Sequence, residues 1–416
     1  MAGRHDDRRE HVAGLRIAMV AACPFPARRG TPLRIQRLAE TLTGRGHRVE
    51  VFTYDVGDPD PLPFTVHRTG RGRRDEAMPP GPNLRKLLLD PRLASVLARG
   101  LAAAPFDLVH AHHVEGLLVA LWARRRRCLP VIYDAHTMLG SELPTYGRGP
   151  IAATGAWIGR WMDRRLPRLA DGVIAVTEDI RDRLVRDGGC RPERVVVAMN
   201  GVGVEQFAPP PGITETPGRV IYTGTLAGYQ DVDLLLRAFA RARAEQPGMS
   251  LCLSVSSSFA PFEPMARELG IMDAVEVVED RFEQLPARLA ASAIAALPRT
   301  RCDGIPQKLL NYMAAGKAVV ASAGSAKVVE HGRTGLVVPD NDVAAFARAL
   351  STLAARPELA RALGRAAREF VERHCTWQAA AERVESLYAL ICGQASRPRT
   401  AAEGTATPSM ADTPGA

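Results

Sequence analysis

Short apolar runs alternate with amphipathic stretches along most of this chain. Strand-length runs occur at Leu15–Ala21, Arg48–Tyr54, Asp107–Ala111, Val131–Asp134, Gly172–Val176 and Arg194–Ala198. Helical patterns lie between them, near Thr31–Arg45, Leu84–Ala103, Val114–Arg125, Ile151–Arg168 and Glu178–Arg186. A Pro/Gly/Arg-rich connection follows Tyr54, and a long loop follows Asp134. Strands alternating with helices predict a parallel, doubly wound α/β sheet. Composition then breaks at 199–218, where Pro209-Pro210-Pro211-Gly212 and Pro217-Gly218 read as a linker. A second series follows, with strands at Val220–Tyr222, Ser250–Val255, Val275–Val278, Ala293–Leu297, Ala318–Ala321 and Gly335–Val338. Its helices are Val232–Ala244, one starting near Pro306, and three near 341–355, 357–373 and 376–392. The expected organisation is a disordered segment 1–13, a Rossmann-like domain 14–200, a linker 201–218 and a second Rossmann-like domain 219–373. A final helix 374–392 and a disordered Ser/Thr/Ala/Pro/Gly-rich tail 393–416 complete it.

Composition changes this picture little. A chain of 416 residues with 46% apolar and 24% charged residues suits two or three globular domains. Net charge is 54 − 45 = +9, mostly from arginine, as in Arg71-Gly72-Arg73-Arg74 and Arg124 to Arg127. Without interleaved aromatics or a nucleic-acid motif these clusters read as solvated basic faces, and no nucleic-acid partner is expected. The seven cysteines are scattered without a C-x-x-C pair, as expected of small buried hydrophobes in a reducing compartment. Leu15–Cys23 is too short and too acidic in its leader for a signal peptide, and no apolar run is of spanning length. A cytoplasmic location is expected.

Candidate chemistry concentrates where strands end. The stretch Asp303–Gly316 joins a strand, a Gly/Pro loop and a helix start, an arrangement that offers unpartnered N–H groups to an anion. Lys308 stands in the first turn of that helix, where the dipole disfavours a cation, and is one of only four lysines beside fifty arginines. It reads as a phosphate ligand or, more plainly, as a solvated surface lysine. Asp303 could accept from sugar hydroxyls or cap a turn, and Asn311 could reach a ribose or be a tolerated helix residue. His136, just past a strand end, can hydrogen-bond a sugar hydroxyl or a phosphate, move a proton, or serve structure alone. Gly30, in the loop Arg29-Gly30-Thr31, and Gly224, in Tyr222-Thr223-Gly224-Thr225, can each bring backbone close to a ligand. Each also suits a plain tight turn. His110, His112 and His113 end another strand, but with no carboxylate at suitable sequence spacing they are not read as a metal site.

Taken in order, these stretches resemble glycosyltransferase family 4, retaining enzymes of GT-B fold. The likeness runs over residues 15–392 through Gly46-His47-Arg48-Val49-Glu50-Val51, Asp107-Leu108-Val109-His110-Ala111-His112 and Val197-Ala198-Met199-Asn200-Gly201-Val202. It continues in Met313-Ala314-Ala315-Gly316-Lys317 and His331-Gly332-Arg333-Thr334-Gly335. The resemblance implies two Rossmann-like domains facing across a cleft, with the last helix crossing back to the first domain. It implies sugar transfer from a nucleotide sugar with retention, without a required metal or other cofactor. His136 and Asp303 are then the catalytic candidates. Donor contacts fall to Gly224, Thr225, Gln230, Arg281, Gly304, Ile305, Lys308, Leu309 and Asn311, and the acceptor/phosphate loop to Arg29, Gly30 and Thr31. The chain departs from the family pattern: Thr225 and Gln230 stand where most relatives carry Arg and Lys, and Asp303 and Asn311 where most carry two glutamates. Either Lys308, with Arg299 or Arg301, restores the lost charge, as the Tyr-Gln and Pro-x-Lys-Leu motifs of one branch suggest, or the chain is a degenerate GT-B binding protein. The expected donor is UDP-GlcNAc or another hexose nucleotide. The acceptor is a soluble secondary metabolite such as an aminoglycoside or, alternatively, a membrane glycolipid or polysaccharide precursor. Trp157, Ile158, Trp161 and Met162 beside Arg160, Arg164 and Arg165 form an amphipathic basic helix compatible with peripheral membrane contact, and equally with packing inside the first domain.

Overall fold

A computed structural model describes residues 14–27, 30–56, 61–70, 85–124, 129–146 and 149–395. Residues 1–13, Arg29 and the tail beyond 395 lie outside the described residues. The first seven strands are β1 Arg16–Ala21, β2 Arg48–Thr53, β3 Thr65–Arg68, β4 Leu108–His112, β5 Val131–Ala135, β6 Gly172–Ala175 and β7 Val195–Val197. They form one sheet in the order β3-β2-β1-β4-β5-β6-β7. The next six are β8 Thr216–Gly224, β9 Ser250–Val255, β10 Val275–Glu279, β11 Ser292–Leu297, β12 Ala318–Ser322 and β13 Gly335–Val338. Their order is β10-β9-β8-β11-β12-β13. Every pairing is parallel. The reason is in the side chains: helices cover both faces of such a sheet, so its strands are largely apolar, and β4, β5, β11 and β12 are buried at every position. The protein is thus two doubly wound Rossmann-like units, the fold class the strand–helix alternation predicts.

Strand order places the sites. In an open parallel sheet the ligand crevice opens at the carboxyl ends of the strands where the order reverses. That point lies between β1 and β4 in the first sheet and between β8 and β11 in the second. The loops involved carry Gly30, His113, Gly224 and 298–306.

Three features differ from the sequence reading. The connection after Tyr54 contains β3, a four-residue edge strand with no fully buried position, too short and too polar to stand out. The loop after β5 contains the Leu139–Glu142 helix and a 3-10 turn at Leu143–Tyr146. The 201–218 break is not a free linker either: Val202, Val204 and Phe207 are buried in the second domain's core, and β8 begins at Thr216. Proline and glycine dominate its composition, but three apolar side chains decide its place.

The Trp377–Ala395 helix returns to the first domain. Its Ala381, Val384, Leu387, Tyr388 and Ile391 share a core cluster with Ile17, Met19, Ile132 and Ile174. Arg45 donates to both Glu385 oxygens at 2.7 and 2.8 Å, fixing the helix against the Gly30–Gly44 helix. The two chain crossings lie side by side, since Val202 N–H donates to the Cys375 carbonyl at 2.9 Å. Among the described residues no helix is long and apolar enough to cross a membrane.

The Gln307–Ala314 helix ends at Gly316, whose φ of +66° suits glycine. Gly364 of the Pro357–His374 helix packs on that turn so closely that a Cβ would lie 2.0 Å from the Gly316 carbonyl oxygen. Gly364→Ala should therefore lower unfolding free energy by about 1–3 kcal/mol. Gly44→Ala, which faces open space, should stay within about 0.5 kcal/mol of the parent. Urea denaturation of the two variants measures this.

Candidate active site

The first domain's share of the cleft is built around a buried ion pair. Arg34 sits one turn into the Gly30–Gly44 helix, on the stripe that also carries Ile35, Leu38 and Leu42, and is only 2% exposed. Its Nε donates to Asp134 Oδ2 at 3.0 Å and its Nη2 to Oδ1 at 3.3 Å, while Nη1 reaches Asn200 Oδ1 at 3.1 Å. Asp134 is the penultimate residue of β5 and is wholly buried. Burial alone would raise its carboxyl, but Arg34 and the histidines around it outweigh that and hold it well below the usual range.

Parallel register sets three histidines on this carboxylate. His112 on β4 pairs with Asp134 on β5, and His110 Nε2 and His112 Nδ1 each lie 3.4 Å from Asp134 Oδ2. Burial, then His110, pushes His112 down to about 3. His136 Nε2 lies 3.2 Å from His112 Nδ1, and its ring stacks on His113 at 4.6 Å. Burial also lowers His136 well below its ordinary value, so it meets a ligand as neutral imidazole. His113 in turn lies 2.8 Å from the Thr31 hydroxyl, which brings the Thr31 loop to the same place. Behind the cluster, His110 Nδ1 is 2.6 Å from the Tyr388 hydroxyl of the returning helix.

Two of the strand-end histidines that the sequence did not read as a metal site do meet a carboxylate in the fold. His110, His112 and Asp134 place three potential ligand atoms within 4.8 Å of one another, because register rather than sequence spacing supplies the carboxylate. The Arg34 guanidinium already lies against that carboxylate, so a cation bound there would meet a second positive charge. The chemistry of the donor set is that of a polar network.

The second domain contributes a cation held in reserve. Gly224 ends β8 with φ +105°, and a Cβ there would stand 3.1 Å from Lys308 Nζ. Lys308 Nζ donates to Gln230 Oε1 at 3.1 Å and lies 4.1 Å from the centroid of the Tyr222 ring. Tyr222 donates to the Thr225 carbonyl at 2.6 Å. Burial, and then nearby Arg299, push the Lys308 ammonium down to about 7, against a raising influence from Asp280. Arg299 itself lies over the Tyr229 ring at 5.0 Å. Tyr312 holds the helix under Lys308 to β8 by accepting from Thr223 N–H at 2.8 Å.

Other expected donor contacts are placed differently. Arg281 pairs with Glu279 at 2.6 Å on the exposed edge of β10. Ile305 and Leu309 point into the core, and the Leu309 N–H is used by the Pro306 carbonyl. Asn311 Oδ1 lies 3.5 Å from Gln307 Nε2. Gln230 is buried and presents its oxygen to Lys308, so it positions that lysine rather than lining open space.

The two domains meet at Asp303. Its carboxylate accepts from Arg183 Nη1 at 3.2 Å, from Met138 N–H at 3.4 Å and from the Thr137 hydroxyl at 3.5 Å. Gly304 abuts His136 so closely that a Cβ would be 3.2 Å from the His136 carbonyl oxygen. His136 and Asp303 are therefore brought together, but Asp303 is engaged by the opposite domain where a carboxylate open to a sugar was expected. Arg34, Arg183 and Tyr388 are not among the residues the sequence singles out, and Asn200 stands there only within a motif, without a role. A charged residue on the apolar stripe of the first helix is the available signal for Arg34; nothing local marks Arg183 or Tyr388.

Two family profiles match the chain, "Glycosyltransferase Family 4" over residues 29–206 and "Glycosyl transferases group 1" over residues 217–356. A D-inositol 3-phosphate glycosyltransferase of Geodermatophilus obscurus is 28% identical over 356 residues, covering 79% of this chain and 78% of its own. That of Kribbella flavida is 27% identical over 371 residues, covering 82% and 86%. Among solved structures, sucrose-phosphate synthase from Thermosynechococcus elongatus superposes with TM-score 0.76 at 21% identity, over 91% of this chain and all of that one. Anabaena Alr3699/HepE in complex with UDP and glucose gives TM-score 0.68 at 17% identity, over 90% of this chain and all of that one.

Removing one partner of a buried pair leaves an uncompensated charge. Arg34→Ala should destabilise the protein by about 3–5 kcal/mol, and the double variant Arg34→Met/Asp134→Leu by distinctly less. Chemical denaturation of both variants decides it.

Proposed function

From the premise that this chain is a GT-B glycosyltransferase, with a family 4 domain at 29–206 and a group 1 domain at 217–356, we propose that it transfers a sugar from a nucleoside diphosphate donor to an acceptor hydroxyl with retention. The observation that carries this reading is Lys308. A lysine that is buried and then set beside Arg299, with Asp280 only partly offsetting this and a neutral amide and an aromatic ring as its contacts, is disfavoured as a cation until an anion arrives. It stands over Gly224 at the switch point of the second sheet, where a diphosphate can approach the backbone. There it takes over the task of the cations that the usual pattern places at Thr225 and Gln230.

In this reading the anomeric C–O bond to the diphosphate breaks while Lys308, with Arg299 nearby, takes up the charge developing on the leaving oxygen. Neutral His136 hydrogen-bonds a hydroxyl of the donor sugar from the opposite wall. Asp134 is buried against Arg34 and the Asp303 carboxylate faces Arg183 of the first domain, so neither is assigned the role of base. The acceptor's proton then passes to the departing diphosphate oxygen as the new C–O bond forms on the same face, which retains the anomeric configuration. Gly30 and Thr31 approach the acceptor, and no metal is assigned a role.

UDP-GlcNAc is the donor to test first, followed by UDP-glucose. The names of the curated relatives make a phosphorylated cyclitol the first acceptor to try, with aminoglycosides next because they too carry a cyclitol ring. A degenerate binding protein would bind donor without turning it over. Release of nucleotide by the purified protein, with mass spectrometry of the products, separates the two.

Losing one charge-assisted phosphate contact costs a factor of roughly 10–100 in binding. Lys308→Ala should weaken donor affinity by that much, and an effect within twofold would overturn the assignment. The sign of the pH dependence follows from the lowered ammonium. Below pH of about 7 the free protein already carries the proton; above it, donor binding must take one up, so affinity should fall as pH rises. Calorimetry in buffers of different ionisation enthalpy should show proton uptake near pH 8 in the parent and none in Lys308→Met.

A further inference from the structure

Away from the cleft, the Pro150–Arg165 helix turns Gly155 and Gly159 inward and its two indoles outward. A Cβ on Gly159 would lie 2.4 Å from the Leu139 carbonyl, and one on Gly155 would lie 3.3 Å from Leu143, so glycine lets this helix close onto the turn beneath. Asp163, its one acidic residue, is also used inward, accepting from Leu139 N–H at 3.0 Å and Gly140 N–H at 2.8 Å. The outer side keeps Trp157 at 65% exposure, Trp161 at 52% and Ile151 at 73%. Arg160, Arg164 and Arg165 flank the indoles and line a shallow recess with them.

Indoles are amphipathic, with an apolar body and one N–H, and arginines carry an apolar stem with a charged tip. Together on one helix face they match a boundary that is apolar on one side and anionic on the other. A second copy of the chain meets this face poorly, because an isologous contact would bring the same three arginines against each other. We propose that this face docks on an anionic lipid bilayer, with Trp157 and Trp161 at the headgroup–acyl boundary and the arginines on lipid phosphates. The Leu139–Gly140 turn that anchors the helix follows His136 by three residues, so docking holds the His136 wall of the cleft close to the lipid surface. This holds whichever acceptor is used.

Sedimentation of the full chain with vesicles tests it. The protein should bind vesicles of phosphatidylcholine mixed with phosphatidylglycerol and not phosphatidylcholine alone, with binding that falls as salt rises. Its tryptophan emission should shift to the blue. Trp157→Ala/Trp161→Ala and, separately, Arg164→Glu/Arg165→Glu should each lower partitioning by roughly tenfold or more. Thermal melting and donor hydrolysis should match the parent in both, which keeps this result distinct from the glycosyltransferase reading. The proposal is overturned by absence of binding to the mixed vesicles, or by binding indifferent to both pairs. A concentration-dependent dimer in ultracentrifugation that the tryptophan pair abolishes would overturn it too, as would tighter binding to nucleic acid than to the vesicles.

Discussion

The Arg34–Asp134 ion pair is the interaction on which the first domain's half of the cleft depends. Two charges buried together carry a desolvation penalty that only close geometry and further hydrogen bonds can offset. Those further partners tie distant pieces of chain to one point. Asn200 brings in the crossing between domains, and His110, His112 and His136 bring in two strand ends. Tyr388 brings in the helix that returns after the second domain. Arg34, Asn200 and Tyr388 are hydrogen-bonded within the network, while the His110 and His112 Nε2 atoms are left without a hydrogen bond, so the cluster ties these pieces together without being fully satisfied.

The second domain treats its charge in the opposite way. Arg34 meets its carboxylate at hydrogen-bonding distance in the free protein, whereas Lys308 contacts an amide oxygen and a ring face beside a like charge, with Asp280 acting on it through space alone among the described residues. A satisfied pair makes a rigid wall; an unsatisfied cation makes a place for an anion. Two doubly wound units that share one folding principle thus present chemically different walls, one neutral and preorganised, the other waiting for charge.

Between the walls, Asp303 is the seam. It leaves the second sheet at its switch point, and its carboxylate is held by Arg183, Met138 N–H and Thr137 of the first domain. Lys327 and Asp179 add a second pair across the same seam at 2.9 Å. These contacts are partly exposed and individually weak, so they set the relation of the domains without locking it.

The alternation of apolar runs with helical patterns already determined the fold class, because a strand buried on both faces has no other way to be written. The organising helix could be read from Pro306 and Gly316, and Lys308 stood out because its position opposes the helix dipole. What the sequence could not contain was register. His112 and Asp134 are 22 positions apart yet lie opposite each other on β4 and β5, and Arg34 reaches Asp134 across a separation of 100. Separations of 278 and 120 hid Tyr388 from His110 and Arg183 from Asp303. Local pattern reports which face of an element is buried; only tertiary packing decides which charges meet there, since that follows from strand order and crossing geometry rather than from neighbours along the chain.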